Sequence, residues 1–112
     1  MAFRSDLDTL ILGVLQAGPL HGYDISKQIK EISKDALKVG EGQLYPALHK
    51  LEEDKLIRSQ WIQQEGKPPK KVYALTARGS GMLLKQKQEW KKFSAGVGAV
   101  LNLKVAEARR GF

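Results

Sequence analysis

Apolar residues recur at helical spacing in three short stretches of the first half of the chain. Leu7, Leu10, Ile11, Val14 and Leu15 form the first stretch. Ser5 or Asp6 can cap it, and Asp6 and Asp8 are well placed against its N-terminal dipole. Gly18-Pro19 ends it, because Gly permits the terminal conformation and Pro forbids continuation. After Leu20-His21-Gly22 the spacing predicts a second helix over residues 23–33, with Ile25, Ile29 and Ile32 inward and Ser26, Lys27 and Lys30 outward. Residues 34–41 read as a connector anchored by Val39. The third stretch, residues 42–52, puts Leu44, Leu48 and Leu51 on one face. Its other face carries Gly42, Gln43, Pro46, His49 and Lys50, with Tyr45 at the edge. Pro46 must lie in the first turn or kink the helix, since an interior proline costs about 3 kcal/mol.

The period then changes. Residues 56–63 approximate strand alternation, with Ile57, Trp61 and Ile62 apolar among polar neighbours, and Trp61 is assigned to the core. Residues 64–71 read as a turn whose Gly66, Pro68 and Pro69 preclude regular pairing, and residues 72–76 as the second strand. Thr76 opens a final helix expected to reach about Arg109. Along it Met82, Gln86, Trp90, Phe93, Val97 and Val100 approach a heptad seam, widened by Leu83 and Leu101. Gly96 and Gly98, each costing about 1 kcal/mol in a helix interior, suggest close approach or a bend there. Such a helix would leave Trp90 and Phe93 in water unless a second copy covered them, so the seam predicts a homodimer. Packing against the first helix is the alternative.

Three helices followed by a hairpin define a winged helix-turn-helix, mainly α with a small β-hairpin. Residues 1–76 would be its DNA-binding domain and residues 77–112 a long C-terminal dimerisation helix and tail. In this architecture the third helix enters the major groove of double-stranded DNA and the hairpin tip touches phosphate or the minor groove. The candidates for reading or gripping DNA are therefore Gln43, Tyr45, His49 and Lys50 on the helix and Lys67, Lys70 and Lys71 on the wing. Tyr23 and Lys27 would steady the second helix on the backbone, and His21 reads as structural. A dimer would match two such helices to a palindromic operator.

Composition supports that direction. Nineteen Lys and Arg against 12 Asp and Glu give a net charge of +7 on 112 residues and a pI of about 9.7, a balance that favours polyanionic partners. The chain has no Cys, so thiolate chemistry, disulfides and cysteine-ligated zinc are excluded. His21 and His49 stand far apart, and neither a nucleophile–base pair nor a paired-carboxylate pattern is visible, so no enzyme is expected. Glu52-Glu53-Asp54 reads as a solvated helix end. Asp6 and Asp8 interrupt any secretory signal core, and no apolar run approaches the roughly 20 residues that span a bilayer, so a cytoplasmic setting without membrane or cofactor is expected. Two alternatives are a winged-helix protein adaptor, which would need an apolar outer face on the third helix, and a drug-binding dimer without operator binding.

Leu44-Tyr-Pro-Ala-Leu-His-Lys-Leu-Glu52 followed by Leu56-Ile57 resembles the signature of PadR-like transcriptional regulators. So do Leu20-His-Gly-Tyr23 and Gly66-Lys-Pro-Pro-Lys-Lys-Val-Tyr-Ala-Leu-Thr76 with Gly79, and the likeness extends over roughly residues 7 to 103. The resemblance implies a winged-helix repressor that dimerises through its C-terminal helix and binds an operator. Short members include regulators that take planar aromatic small molecules between the subunits, which makes Trp90 and Phe93, beside Val97 and Val100, candidate effector or dimer-seam residues. The chain departs from the family in two places. Gly40 and Glu41 stand where many relatives have Ser and a small residue or Pro, which weakens the N-cap, and the wing uses Lys where Arg is common.

Overall fold

Leu44, Leu48 and Leu51 lie at 0–2% exposure in the centre of the molecule. They belong to helix α3 (Glu41–Glu53), which packs on α1 (Asp6–Leu15) and α2 (Gly22–Ile32). Ile11, Leu12 and Leu15 of α1 and Ile25 and Ile29 of α2 close the core from the other side. The structure, a computed structural model, describes residues 6–103, so Ser5 lies outside it. Of the predicted stripes, α1 buries Leu12 more deeply than Leu7, Leu10 or Val14. Ile32 at the end of α2 is 67% exposed rather than inward.

The hairpin consists of β2 (Ile57–Gln64) and β3 (Lys67–Leu75), and β1 (Leu20–His21) adds a third antiparallel strand on the other edge of β3. Residues 64–71 are therefore not an unpaired turn: the reversal occupies Glu65 and Gly66, with Gly66 at φ 71°, and Gln64 pairs Lys67. Between the pairs Ile62↔Lys70 and Gln64↔Lys67, β3 has one more residue than β2. Pro68 and Pro69 fall within that bulge, where the ladder requires no donor from them. Trp61 is 64% exposed on β2 and not part of the core.

Three helix ends share one device. At the ends of α2, α3 and the final helix α4 (Ala77–Val100), the residue after the C-cap takes a left-handed conformation: Lys34, Lys55 and Asn102, at φ 55°, 61° and 62°. The next residue then returns its N–H to a carbonyl in the last turn, Asp35 to Lys30, Leu56 to Leu51 and Leu103 to Gly98 at 2.7–3.0 Å. This closes α4 at Val100, well short of Arg109; residues from 104 onward lie outside the described part.

Pro46 sits inside α3 beyond its first turn, and the helix continues through it. Its missing N–H leaves the Gly42 carbonyl unpaired, which is tolerable because Gly42 is exposed. Leu56 has the opposite setting. It is buried, and its carbonyl accepts from Thr76 N at 3.2 Å, while Thr76 Oγ1 donates to the Lys55 carbonyl at 2.7 Å and accepts from Gly79 N at 3.0 Å. The first turn of α4 is thus pressed onto the turn that follows α3, and a Cβ on Gly79 would collide with the Leu56 carbonyl.

Gly79→Ala should therefore destabilise the protein by about 3 kcal/mol, the upper part of the usual overpacking range. Gly42→Ala meets nothing within 4 Å and should be neutral or stabilising by up to about 1 kcal/mol. Urea denaturation of the two variants checks both; equal stabilities would contradict the packing at Gly79.

Candidate nucleic-acid interface

With the leucines inward, the helical period divides the rest of α3 into three strips. Gly42, Pro46, His49 and Glu53 point outward. Gln43, Lys50 and Asp54 follow one flank, and Glu41, Tyr45 and Glu52 the other. At the start of the helix Gly40 provides no side-chain cap, and its carbonyl accepts from both Gln43 N at 3.1 Å and Leu44 N at 2.9 Å. The N–H groups of Glu41 and Gly42 have no acceptor within the helix. Added Cβ atoms at Gly40 or Gly42 would meet nothing, so the fold leaves this end sterically open.

The other half of α3 is paired with its own acids. His49 Nε2 lies 3.2 Å from Glu53, and Lys50 Nζ lies 3.8 Å from Asp54. These pairs are solvent-exposed and weak, so they are no obstacle to a stronger anion. Lys50 also faces α1. Burial raises the Asp8 carboxyl above the ordinary Asp value, the positive charge of Lys50 opposes that shift, and Asp54 adds to it. Asp8 stands in the first turn of α1, as expected, and desolvation is the largest influence on its carboxyl.

The third strip closes against the sheet. Tyr45 packs its ring over Gly22, where an added Cβ would stand 3.2 Å from Tyr45 and 3.3 Å from Tyr73. Glycine at the start of α2 thus gives two tyrosines, from α3 and β3, an unhindered place to pack. Burial holds both phenols above the ordinary tyrosine pKa, with Glu41 and then Tyr73 adding for Tyr45 and Glu52 adding for Tyr73. Glu52 is half-buried rather than solvated: Ser59 Oγ donates to it at 2.5 Å and Lys71 Nζ lies 3.9 Å away. Lys71 also stands over the rings of Trp61 at 5.9 Å and Tyr73 at 5.5 Å. Glu52, Ser59 and Trp61 were missed as members of this site. The available signal was the seven-residue spacing of Tyr45 and Glu52, which puts both on one flank.

The wing lysines separate. Lys67 borders the Glu65-Gly66 reversal, Lys70 lies on β3 opposite Ile62, and Lys71 lies on the face of β3 that turns toward α3. Across the molecule, His21 caps α2 by accepting from Tyr23 N at Nδ1, 3.2 Å away. Tyr23 and Lys27 are exposed and line an open groove with Lys30, Lys38 and Val39.

The predicted seam on α4 divides in two. Its first half packs on α1: Met82 and Leu83 join the core, Thr9 Oγ1 donates to Gln86 at 2.7 Å and Lys87 donates to Gln16 at 2.7 Å. Farther along, Trp90 and Phe93 have ring centroids 5.3 Å apart, and Phe93, Gly96, Val97, Val100 and Leu101 line an apolar groove of about 470 Å³. Val100 is 84% exposed. Among the described residues no cluster of three or more His, Cys, Asp or Glu is placed to hold a metal, and no helix is long and apolar enough to cross a membrane.

A three-helix core, a three-stranded sheet with a protruding hairpin and a long final helix define a winged-helix protein. Residues 11–85 match the family described as "Transcriptional regulator PadR-like family", and the chain belongs to it. It is 39% identical over 69 residues to the negative transcriptional regulator PadR of Bacillus subtilis, covering 62% of this chain and 38% of that protein. The crystal structure of Bacillus subtilis PadR in complex with operator DNA superposes with a TM-score of 0.66 at 36% identity, over 71% of this chain and 45% of that one. A PadR family regulator from Clostridium difficile aligns over 85% of this chain and 97% of its own, with 32% identity and a TM-score of 0.75. The chain spans a quarter to two-fifths of the length of two of the curated relatives it matches and 80% of a third.

Asp8 supplies a test of the α1–α3 contact. Its raised pKa means that the stability this group contributes is present below its unfolded value of 3.8 and is lost as pH rises through the folded value. Asp8→Asn should accordingly raise the melting temperature at pH 7 and leave it little changed below pH of about 3.8. A lower melting temperature at pH 7 would show that Asp8 is stabilised where it stands.

Proposed function

We propose that the protein is a repressor that binds a palindromic DNA operator as a homodimer. The observation that carries this reading is the juxtaposition of an uncapped, sterically open N-terminal end of α3 with a lysine-bearing hairpin on the same domain. Such a helix end suits major-groove edges and phosphates, and the hairpin suits the adjoining backbone. The operator complex of the Bacillus subtilis relative supports the same assignment for this chain. Gln43, Tyr45, His49 and Lys50 serve α3 in this reading, Tyr23 and Lys27 serve α2, and Lys67 and Lys70 serve the wing, while Lys71 is turned toward α3.

The second half of α4 is the dimer seam. Val97 and Val100 are exposed, and Gly96 has open space around it, so a partner helix can approach closely. The apolar groove beside Phe93 offers a planar aromatic effector a place within that seam. An effector there would alter the spacing of the two recognition helices, and both half-sites must be met at once. The cytoplasm is the matching setting.

Lys67→Ala and Lys70→Ala should each shallow the log–log salt dependence of DNA binding by about 0.9 per lost phosphate contact. Gln43→Ala should change sequence preference more than overall affinity. Anisotropy titrations on a panel of duplexes between 50 and 200 mM salt, the range over which such contacts are read, check both. An unchanged slope removes the lysines from the phosphate contacts. Val97→Glu should yield monomers by analytical ultracentrifugation and lose operator binding with the core intact; a persistent dimer would place the interface elsewhere.

A further inference from the structure

We infer that Glu52 is a positioning residue that withholds Lys71 from DNA phosphate, limiting sequence-independent binding by the wing; this rests on the DNA-binding reading above. The crease between α3 and the hairpin contains a cation where a duplex lying on both elements would bring backbone phosphates. A free lysine there would strengthen binding to every sequence equally. Lys71 is not free. Among the described ion pairs it is the hairpin lysine held by a carboxylate, with Glu52 Oε1 3.9 Å from its ammonium.

Two features make that carboxylate a fixed restraint. Ser59 Oγ donates to the other oxygen of Glu52 at 2.5 Å, so the acid is tied to β2 while it attracts β3. Burial of Leu44, Leu48 and Leu51 fixes the helix rotation that presents Glu52 to the sheet, and Tyr45 on the same flank packs over Gly22. The ammonium is further shared between the Trp61 and Tyr73 rings, and Trp61 is its direct partner across the strands. Each contact is individually weak, but all of them favour the same position for Lys71. Lys67 and Lys70, toward the hairpin end, are left to meet phosphate.

The test is a double-mutant cycle on the full chain, using a mixed-sequence duplex of 20 base pairs as probe. Glu52→Gln preserves an acceptor for Ser59 and removes only the charge. It should tighten binding to this duplex and steepen the log–log salt slope by about 0.9 per bound subunit, one additional phosphate contact. Lys71→Met should leave the wild-type slope unchanged and return the Glu52→Gln slope to the wild-type value. A general effect of net charge would instead make the lysine substitution act equally in both backgrounds. Ser59→Ala, which unties Glu52 without changing any charge, should steepen the slope partway, and it serves alone should Glu52→Gln melt below the assay temperature. A wild-type slope that falls on Lys71→Met, or untying variants with unchanged slopes, overturns the inference. If the wild type showed no salt-dependent binding to any duplex, the DNA-binding reading itself would fail.

Discussion

Burial of Leu44, Leu48 and Leu51 fixes the rotation of α3, and with it the direction of every other side chain on that helix. Each buried leucine is worth roughly 1.5–3 kcal/mol, which together is comparable with the whole stability of a small domain. No polar contact on the helix surface can compete with that. The outward strip, the flank facing α1 and the flank facing the sheet are therefore consequences of one hydrophobic decision. Gly79 then sets how closely α4 approaches the turn after α3, because that position excludes a side chain, and Gly22 leaves room for the tyrosine rings packed beside α2.

The charges on α3 divide along its length. Toward the C-terminal end, Lys50 and Glu52 each have an oppositely charged partner nearby and His49 lies beside Glu53, while the N-terminal end carries unpaired backbone donors and two unencumbered glycines. Along the hairpin, Lys67 and Lys70 have no carboxylate partner among the described ion pairs, whereas at the start of α3 the backbone donors share the first turn with Glu41. For a protein with a net charge of +7, non-specific attraction is easily had. Discrimination among sequences depends more on how many of those charges are kept occupied elsewhere.

The final helix has two environments within one element. As far as Lys87 it is a member of the core domain, joined to α1 and the turn after it by hydrogen bonds at Thr9 and Gln16 and by Met82 and Leu83. Beyond, apolar residues with a groove beside them replace the polar bridges. Intramolecular packing, one of the two alternatives for a uniform seam, thus accounts for the first segment of α4 and leaves the second apolar and exposed.

Periodicity alone determined the helices, most of the inward leucines and isoleucines, and the existence of a hairpin, because burial imposes a period of 3.6 or 2 on the residue order; Ile32 and Leu12 are the exceptions. The ends of α2 and α3 were read to within a residue, but that of α4 was hidden: the left-handed position closing it holds Asn102 rather than glycine, so the helix seemed to run on to Arg109. Pro68 and Pro69 looked like strand breakers, since nothing local shows that they fall at a bulge. Trp61 looked like core because hydrophobicity predicts burial only on average. The resemblance carried by residues 44–57 and 66–76 indicated the family, and the order of elements indicated the winged helix. The tertiary structure decided which polar residues are already engaged. Glu52 reaching Ser59 and Lys71, and Tyr45 meeting Tyr73 across Gly22, join residues from different elements. Such pairings depend on the distance and rotation between packed surfaces, which no linear spacing encodes.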